Sequence, residues 1–482
     1  MKIENAPFTM TEWEMEKNRT HRNGLERKIG LFPLTNIVVA NMVGAGIFTT
    51  SGLLMRDLRN PLIMLGLWTI GGTIALCGAL SYGELGAAIP RAGGEYAFLS
   101  ELYHPLLGFL SGWASFFVGF SAPIAASAIG FAEYFTRAFP GLVRIGLLPE
   151  AAEAVVLKKA WACLVILLFT LIHARGIELG TRVQNFLTIG KVILIAGLIA
   201  MGLASGHGSW SHFAQGGSFR FDFAGWKSAG LALMWIMFAY SGWNASAYIG
   251  SEVREPGKNL PRSLILGTGL VILLYAGLNV FYLYAVSPAQ MSGVISVGGL
   301  AAGNVFGPSF DGVLSVLIAF ALFSSLSAFI ILGPRVYYSM ARNGHFFRSV
   351  AKVHPVFGVP SRSVILQGLI SMVIVVSGSF DQILTYMGFS LGIFPIFAVL
   401  GVYKLRKQGK SPRKMPGYPV APAVFVLTGV LILVLGFLRS PGPSGVAILT
   451  VAAGVPAFYF FRKKYRLPMI KEATDDESKT AS

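Results

Sequence analysis

Apolar, uncharged runs as long as a lipid bilayer is thick recur from one end of this sequence to the other. Residues 271–284 and 424–438 hold no charged side chain. About twenty such residues, wound into a helix at roughly 1.5 Å per residue, match the hydrocarbon core of a membrane. One such run fits inside a large soluble protein, but a dozen leave too little polar surface to cover them. Composition agrees: 13% of the 482 residues are charged and the mean hydropathy is +0.64, where a soluble domain carries roughly a quarter charged residues. The expected fold class is an all-α polytopic membrane protein.

Twelve spans are expected, at about 31–55, 61–89, 103–136, 157–174, 183–204, 229–252, 263–286, 309–334, 363–379, 381–403, 419–438 and 442–461. An even count puts both termini on one side. With that side cytoplasmic, inner loops and tails hold 29 of the 39 Lys and Arg residues and outer loops hold 9, Lys191 lying within a span. This is the positive-inside asymmetry. It predicts a cell-membrane protein with cytoplasmic tails at 1–30 and 462–482. The net charge of +17 then belongs to a membrane face touching anionic lipid and is no nucleic-acid footprint. Residues 1–30 lack the apolar stretch of a cleavable signal peptide. Cys77 and Cys163, the two cysteines, sit inside or beside apolar segments and form no disulfide framework or zinc pattern. No cofactor, metal or disulfide-linked partner subunit is expected.

Two spans contain sequence that a plain helix avoids. Asn41-Met42-Val43-Gly44-Ala45-Gly46-Ile47-Phe48 lies within span one, and Phe238-Ala239-Tyr240-Ser241-Gly242-Trp243-Asn244 within span six. A lone glycine pair in a membrane helix usually serves close packing. Here the two sites lie five spans apart. Five is odd, so a second copy of a five-span unit enters the membrane from the opposite face, and interrupted segments at corresponding places in two halves point to a transporter site. Helices broken at 43–47 and 239–243 leave N–H groups free at one half-helix start and carbonyls free at the other half's end. The first suit a carboxylate and the second an ammonium group, so a zwitterion meets both without a charged side chain.

The motifs carry a resemblance. Gly44-Ala45-Gly46-Ile47-Phe48 is similar to the GSGIF motif of the amino acid–polyamine–organocation superfamily. The span-six segment, followed by Ser251-Glu252-Val253-Arg254-Glu255-Pro256-Gly257-Lys258-Asn259-Leu260-Pro261-Arg262, resembles the signature of its L-type amino acid transporter branch. So do Glu84-Leu85-Gly86, Pro90-Arg91-Ala92-Gly93-Gly94-Glu95-Tyr96 and Arg335-Val336-Tyr337-Tyr338-Ser339-Met340-Ala341-Arg342-Asn343-Gly344. The resemblance implies a LeuT-like five-plus-five inverted repeat over 31–204 and 229–403, with helices 1 and 6 broken and two extra helices at 419–461. It implies that the substrate carboxylate meets the backbone of Gly44, Ala45 and Gly46, and the amine meets carbonyls near Met42, Phe238 and Ser241. Phe238 becomes the lid; Asn244, read from the residues alone, either lines the pocket or is a packing group. The family often has Ser where this chain has Ala45, so one hydroxyl near the carboxylate is missing. Lys191 falls where some members hold a lysine in place of a sodium ion. That implies sodium-independent transport, by proton-linked symport or by exchange, with Lys191 as the coupling group. The alternative for Lys191 is snorkelling to the inner interface.

Neutral L-amino acids are the expected substrates, because no Asp or Glu lies in the middle of spans one, three, six, eight or ten. Glu84 and Glu252, near cytoplasmic span ends, are expected to pair with Arg91 or Arg254. Ser324, Ser325 and Ser327 either face span one or bond back to their own helix, and Tyr386 is a further candidate for the pocket. The alternatives are a carrier of cationic amino acids or polyamines and, in another class, an amino-acid sensor that does not transport. An enzyme is not expected: His173 and His345 are isolated in loops, and no nucleophile–base or metal cluster is visible.

Overall fold

The computed structural model describes residues 25–465, apart from 45, 144–149, 218, 220–221, 295–296, 308–309, 378–379 and 440. Ala45 therefore lies outside the described residues, as does the side chain of Tyr386. The described chain is helical, and every expected span coincides with a helix. Span one is two pieces, α1 (Leu31–Met42) and α2 (Gly46–Leu58). There follow α3 (Pro61–Ala88), a short α4 (Glu95–Leu102), and a third span built of α5 (Pro105–Ala114), a π turn (Ser115–Gly119) and α6 (Ser121–Ala138). Next come α7 (Glu150–Ala174), α8 (Ile177–Ala204) and α9 (Phe223–Ala239), after which span six continues only as 3-10 turns, Ala245–Tyr248 and Gly250–Glu252. The remainder is α10 (Pro256–Ala285), α11 (Val297–Phe306), α12 (Phe310–Arg342), α13 (Ser361–Ser377), α14 (Phe380–Lys407), α15 (Val420–Arg439) and α16 (Pro441–Lys464).

Local chemistry sets the starts. Asn60 accepts the Ile63 N–H ahead of Pro61, and Asp222 accepts the Gly225 N–H at the head of α9; both satisfy a donor that the first helical turn leaves orphaned. Eight helices, the interrupted Leu31–Leu58 among them, are long and apolar enough to cross a membrane. Phe223–Ala239, Ser361–Ser377 and Val420–Leu435 are shorter apolar helices.

Burial sorts the helices into a centre and a rim. The most apolar stretches of Leu31–Leu58 and Pro105–Ala138 are 82% and 83% buried, against 28% for Glu153–Ala174 and 33% for Ile177–Ala204. On the rim helices Leu164, Leu167, Leu168 and Leu171 of α7, and Leu427, Leu431 and Val434 of α15, are exposed. Apolar belts of that extent suit lipid, not water. The two most extensive helix pairings join α3 to α10 and α6 to α12.

Glu84 and Glu252, the acids near span ends, are paired, but not with their sequence neighbours. Glu84 binds Arg406 Nη2 at 2.6 Å, and Glu252 binds Arg335 Nε at 2.7 Å with both side chains 1% exposed. Arg91 pairs with Glu101 instead. The expected Arg91 and Arg254 partners are corrected because helix packing brings α12 and α14 closer to these acids than the adjoining loops. His173 is likewise not in a loop: it sits in the last turn of α7, buried, with Nε2 2.8 Å from Ser327 Oγ. Main-chain bonds tie the two ends of the broken spans together. Lys28 and Ile29 both donate to the Glu252 carbonyl at 2.9 Å, and Arg254 donates back to the Ile29 carbonyl at 2.9 Å.

Candidate substrate site

α1 stops at Met42, and Val43 turns to extended backbone at φ −78°, ψ 90°. Helix resumes at Gly46. The last carbonyls of α1 point away from any helical partner, and side chains meet them. Lys191 Nζ, on α8, lies 2.6 Å from the Val43 carbonyl, 3.3 Å from that of Ala40 and 2.9 Å from Ser325 Oγ. Ser325 donates to the same Val43 carbonyl at 2.7 Å. The lysine is fully buried, so its head group turns inward and does not snorkel. Ser324 bonds instead to Gln184 and Thr188 of α8.

α9 ends at Ala239, and the chain turns through Gly242 at φ +98°. A Cβ there would stand 2.6 Å from Asn41 Nδ2, and one at Gly46 would stand 2.9 Å from the Ala239 Cα. Each break therefore needs glycine because the other break lies against it. Tyr275, on α10, joins them: its hydroxyl lies 2.8 Å from the Met42 carbonyl and 2.9 Å from the Ala239 carbonyl, the last residues of α1 and α9.

A cavity of about 200 Å³ opens at this junction. Met42, Gly44, Gly46, Phe238, Ser241 and Asn244 line it, so the expected pocket residues that are described come together. Two of the carbonyls expected for an amine are already engaged, Met42 by Tyr275 and Phe238 by the Ser241 N–H at 3.0 Å. Each oxygen keeps a second lone pair. Lys191 stands behind the span-one break and outside the lining. The π turn of span three contributes Ser115, Val118 and Gly119, in keeping with the frequency of π turns at functional sites.

Among the lining residues that escaped sequence reasoning, two polar ones stand out, Asn41 and Glu95. Asn41 is 6% exposed, and its Oδ1 has no hydrogen-bond partner among the described residues. Glu95, 3% exposed, accepts from Tyr82 Oη at 2.8 Å, from Asn244 Nδ2 at 2.6 Å and from Tyr248 Oη. Sequence places it in a cytoplasmic loop. Gly93 and Gly94, at φ +107° and +53°, reverse the chain and carry Glu95 beneath the cavity. The glycine pair just ahead of an acid was the available signal.

Comparison with known proteins fits this geometry. A family model described as Amino acid permease matches residues 29–457. The Asc-type amino acid transporter 1 of Mus musculus is 28% identical over 92% of this chain and 83% of its own. The Serine/threonine exchanger SteT of Bacillus subtilis (strain 168) is 28% identical over 92% of this chain and 99% of its own. The Large neutral amino acids transporter small subunit 2 of Homo sapiens is 27% identical over 90% and 80%.

Proposed function

We propose a function from one premise: the chain belongs to the amino acid permease family. It is a multi-pass membrane protein and an amino acid transporter, not an enzyme. Our finer reading is that it carries neutral L-amino acids without sodium, by exchange through alternating access. The observation that carries it is the cavity where two interrupted helices meet, lined by Gly44, Gly46, Ser241 and Asn41, whose Oδ1 has no hydrogen-bond partner among the described residues. The restart of helix at Gly46 presents N–H groups to a carboxylate, and Asn41 Oδ1 presents an acceptor to an ammonium. The relatives' names speak of serine, threonine and large neutral amino acids, which suits the same small, largely uncharged pocket.

Lys191 supports independence from sodium. A sodium ion at the span-one break would need oxygens of the kind that the ammonium already holds, two carbonyls and a hydroxyl. The pairing of α3 with α10 and α6 with α12 joins spans five apart and supports inverted repeats at 31–204 and 229–403; in the same reading the helices at 419–461 lie outside the repeats and the tails are cytoplasmic. In this reading Phe238 closes over bound substrate.

Counterflow of labelled serine, alanine and leucine into proteoliposomes, with sodium replaced by choline, tests the reading. Uptake driven by unlabelled internal substrate is expected. Dependence on sodium, or no counterflow with any neutral amino acid, overturns it. One observation favours a second reading, a cationic substrate: Glu95 supplies the pocket with a carboxylate. Competition by lysine or agmatine stronger than that by serine would select it.

A further inference from the structure

We propose that Glu95 is a proton-binding group of the transport pocket, ionised while it clamps the chain that follows α9 and protonated when that chain is released. The proposal rests on the transporter reading and assigns one residue of the same cavity a task in it.

The cradle around Glu95 is made of donors. Tyr82 of α3 and Asn244 of the span-six segment point at Oε1, and Tyr248 of that segment points at Oε2. Asn244 also donates to Tyr248 Oη at 3.3 Å. An ionised carboxylate only accepts, so three donors and no dedicated acceptor fit the charged form. Among the described residues no Lys, Arg or His pairs with it. The charged and titratable side chains of neighbouring elements are spent elsewhere: Arg335 of α12 on Glu252, Arg406 of α14 on Glu84, Arg91 on Glu101 of α4 itself, and His345 on Tyr96. From the third span Phe120 packs edge-on to Tyr248, and Ser111 and Ser115 line the same cavity.

A buried charge without a countercharge is expensive, and this one lines the cavity. A cation can relieve it there. An ionised carboxylate has about four acceptor positions, of which the cradle fills three. An ammonium brings three N–H groups and finds one place, whereas a proton needs no room. The proton comes from cavity water and adds to one carboxylate oxygen; no other covalent bond changes. The proton takes the position left free on Oε2, and loss of the charge weakens the three hydrogen bonds that the ionised form accepts. Asn244 and Tyr248 sit on the unwound segment that lines the pocket, while Tyr82 sits on continuous helix α3. Release therefore falls on the span-six side. Close packing enforces the geometry, since a Cβ on Gly94 would stand 2.5 Å from the Tyr248 ring.

The test is exchange of labelled serine in proteoliposomes, with internal and external pH equal and stepped together from alkaline to acid. The wild-type rate is expected to change by up to about tenfold per pH unit through a single titration. Glu95→Gln should remove that dependence, and Glu95→Asp should restore it. Tyr82→Phe deletes a donor to the ionised form and should move the midpoint to higher pH by up to about one unit. The Tyr82 variant decides the matter if the glutamine variant fails to fold. A pH profile retained in Glu95→Gln, or an unmoved midpoint in Tyr82→Phe, overturns the proposal. So does lysine competition in the wild type that disappears in Glu95→Gln, which would make Glu95 an ammonium ligand. Wild-type exchange that is flat with pH defeats this proposal alone, and absence of any exchange defeats the transporter reading instead.

Discussion

The two interrupted helices are braced by opposite charges, and from opposite directions. Behind the span-one break stands an ammonium, Lys191, held by two carbonyls and a hydroxyl outside the cavity lining. Beside the span-six break stands a carboxylate, Glu95, held by a tyrosine of α3 and by two side chains of the unwound segment, and it lines the cavity. Each charge answers its surroundings. The frayed end of α1 offers carbonyl oxygens, which attract a cation. The chain after α9 bends into 3-10 turns and offers Asn244 and Tyr248, which attract an anion. One brace is sealed inside the scaffold and the other is open to whatever occupies the pocket. A fixed brace can set the shape of a site, but only an open one can register that the site has been filled or wetted.

Substitutions can break that contrast or sharpen it. The largest loss is expected below the span-six segment, where Arg335→Met leaves Glu252 buried and unpaired; about 3–5 kcal/mol of stability should go, read as a lower melting temperature in detergent. Survival of the variant at wild-type stability would show that the span-six end needs no ionic anchor. Lys191→Ala leaves the Val43 and Ala40 carbonyls without their cation, a cost of about 1–3 kcal/mol, and should lower exchange by roughly ten- to a hundredfold with insertion intact. Lys191→Arg should not restore it, because a planar guanidinium does not match three converging oxygens. Wild-type exchange in Lys191→Ala would remove the distinction between the two braces. Tyr275→Phe deletes the hydrogen shared by Met42 and Ala239, worth about 1 kcal/mol, and should slow exchange by roughly fivefold. The smallest effect belongs to Phe238→Ala, where about 1 kcal/mol or less of ring contact should appear as severalfold weaker apparent affinity with stability unchanged; unaltered affinity would make the ring a packing group.

Much of this site was legible before any coordinates. Glycine in Asn41-Met42-Val43-Gly44-Ala45-Gly46 and in Tyr240-Ser241-Gly242 marks breaks, because at membrane depth only a polar cavity tolerates unwound backbone. For Lys191 the resemblance, not the pattern, pointed to the place of a sodium ion, and the residues alone left snorkelling open; its position beside the Val43 carbonyl and Ser325 answers the need of a cation inside a span for oxygens. Other parts were not. Tyr275 lies in an apolar run where a phenol reads as packing, and its two acceptors are 233 and 36 positions away. Glu95 reads as a loop acid next to Arg91, since nothing in composition tells how sharply Gly93 and Gly94 turn the chain. The partners of Glu84 and Glu252 were misjudged in the same way, by weighing sequence distance where helix packing decides. Asn41 stood within the quoted motif, yet a single amide beside a glycine break does not declare whether it caps the helix or waits for a ligand.

The seam between residues 28–29 and 252–254 is made wholly of main-chain groups. Side-chain identity does not enter those hydrogen bonds, while the side chains of Ile29, Glu252 and Val253 are buried and hold the same joint by packing and by the Arg335 pair. Proline alone, having no N–H to give, could remove those bonds from positions 28, 29 or 254. Where span one begins and where span six ends should accordingly behave as one inherited unit.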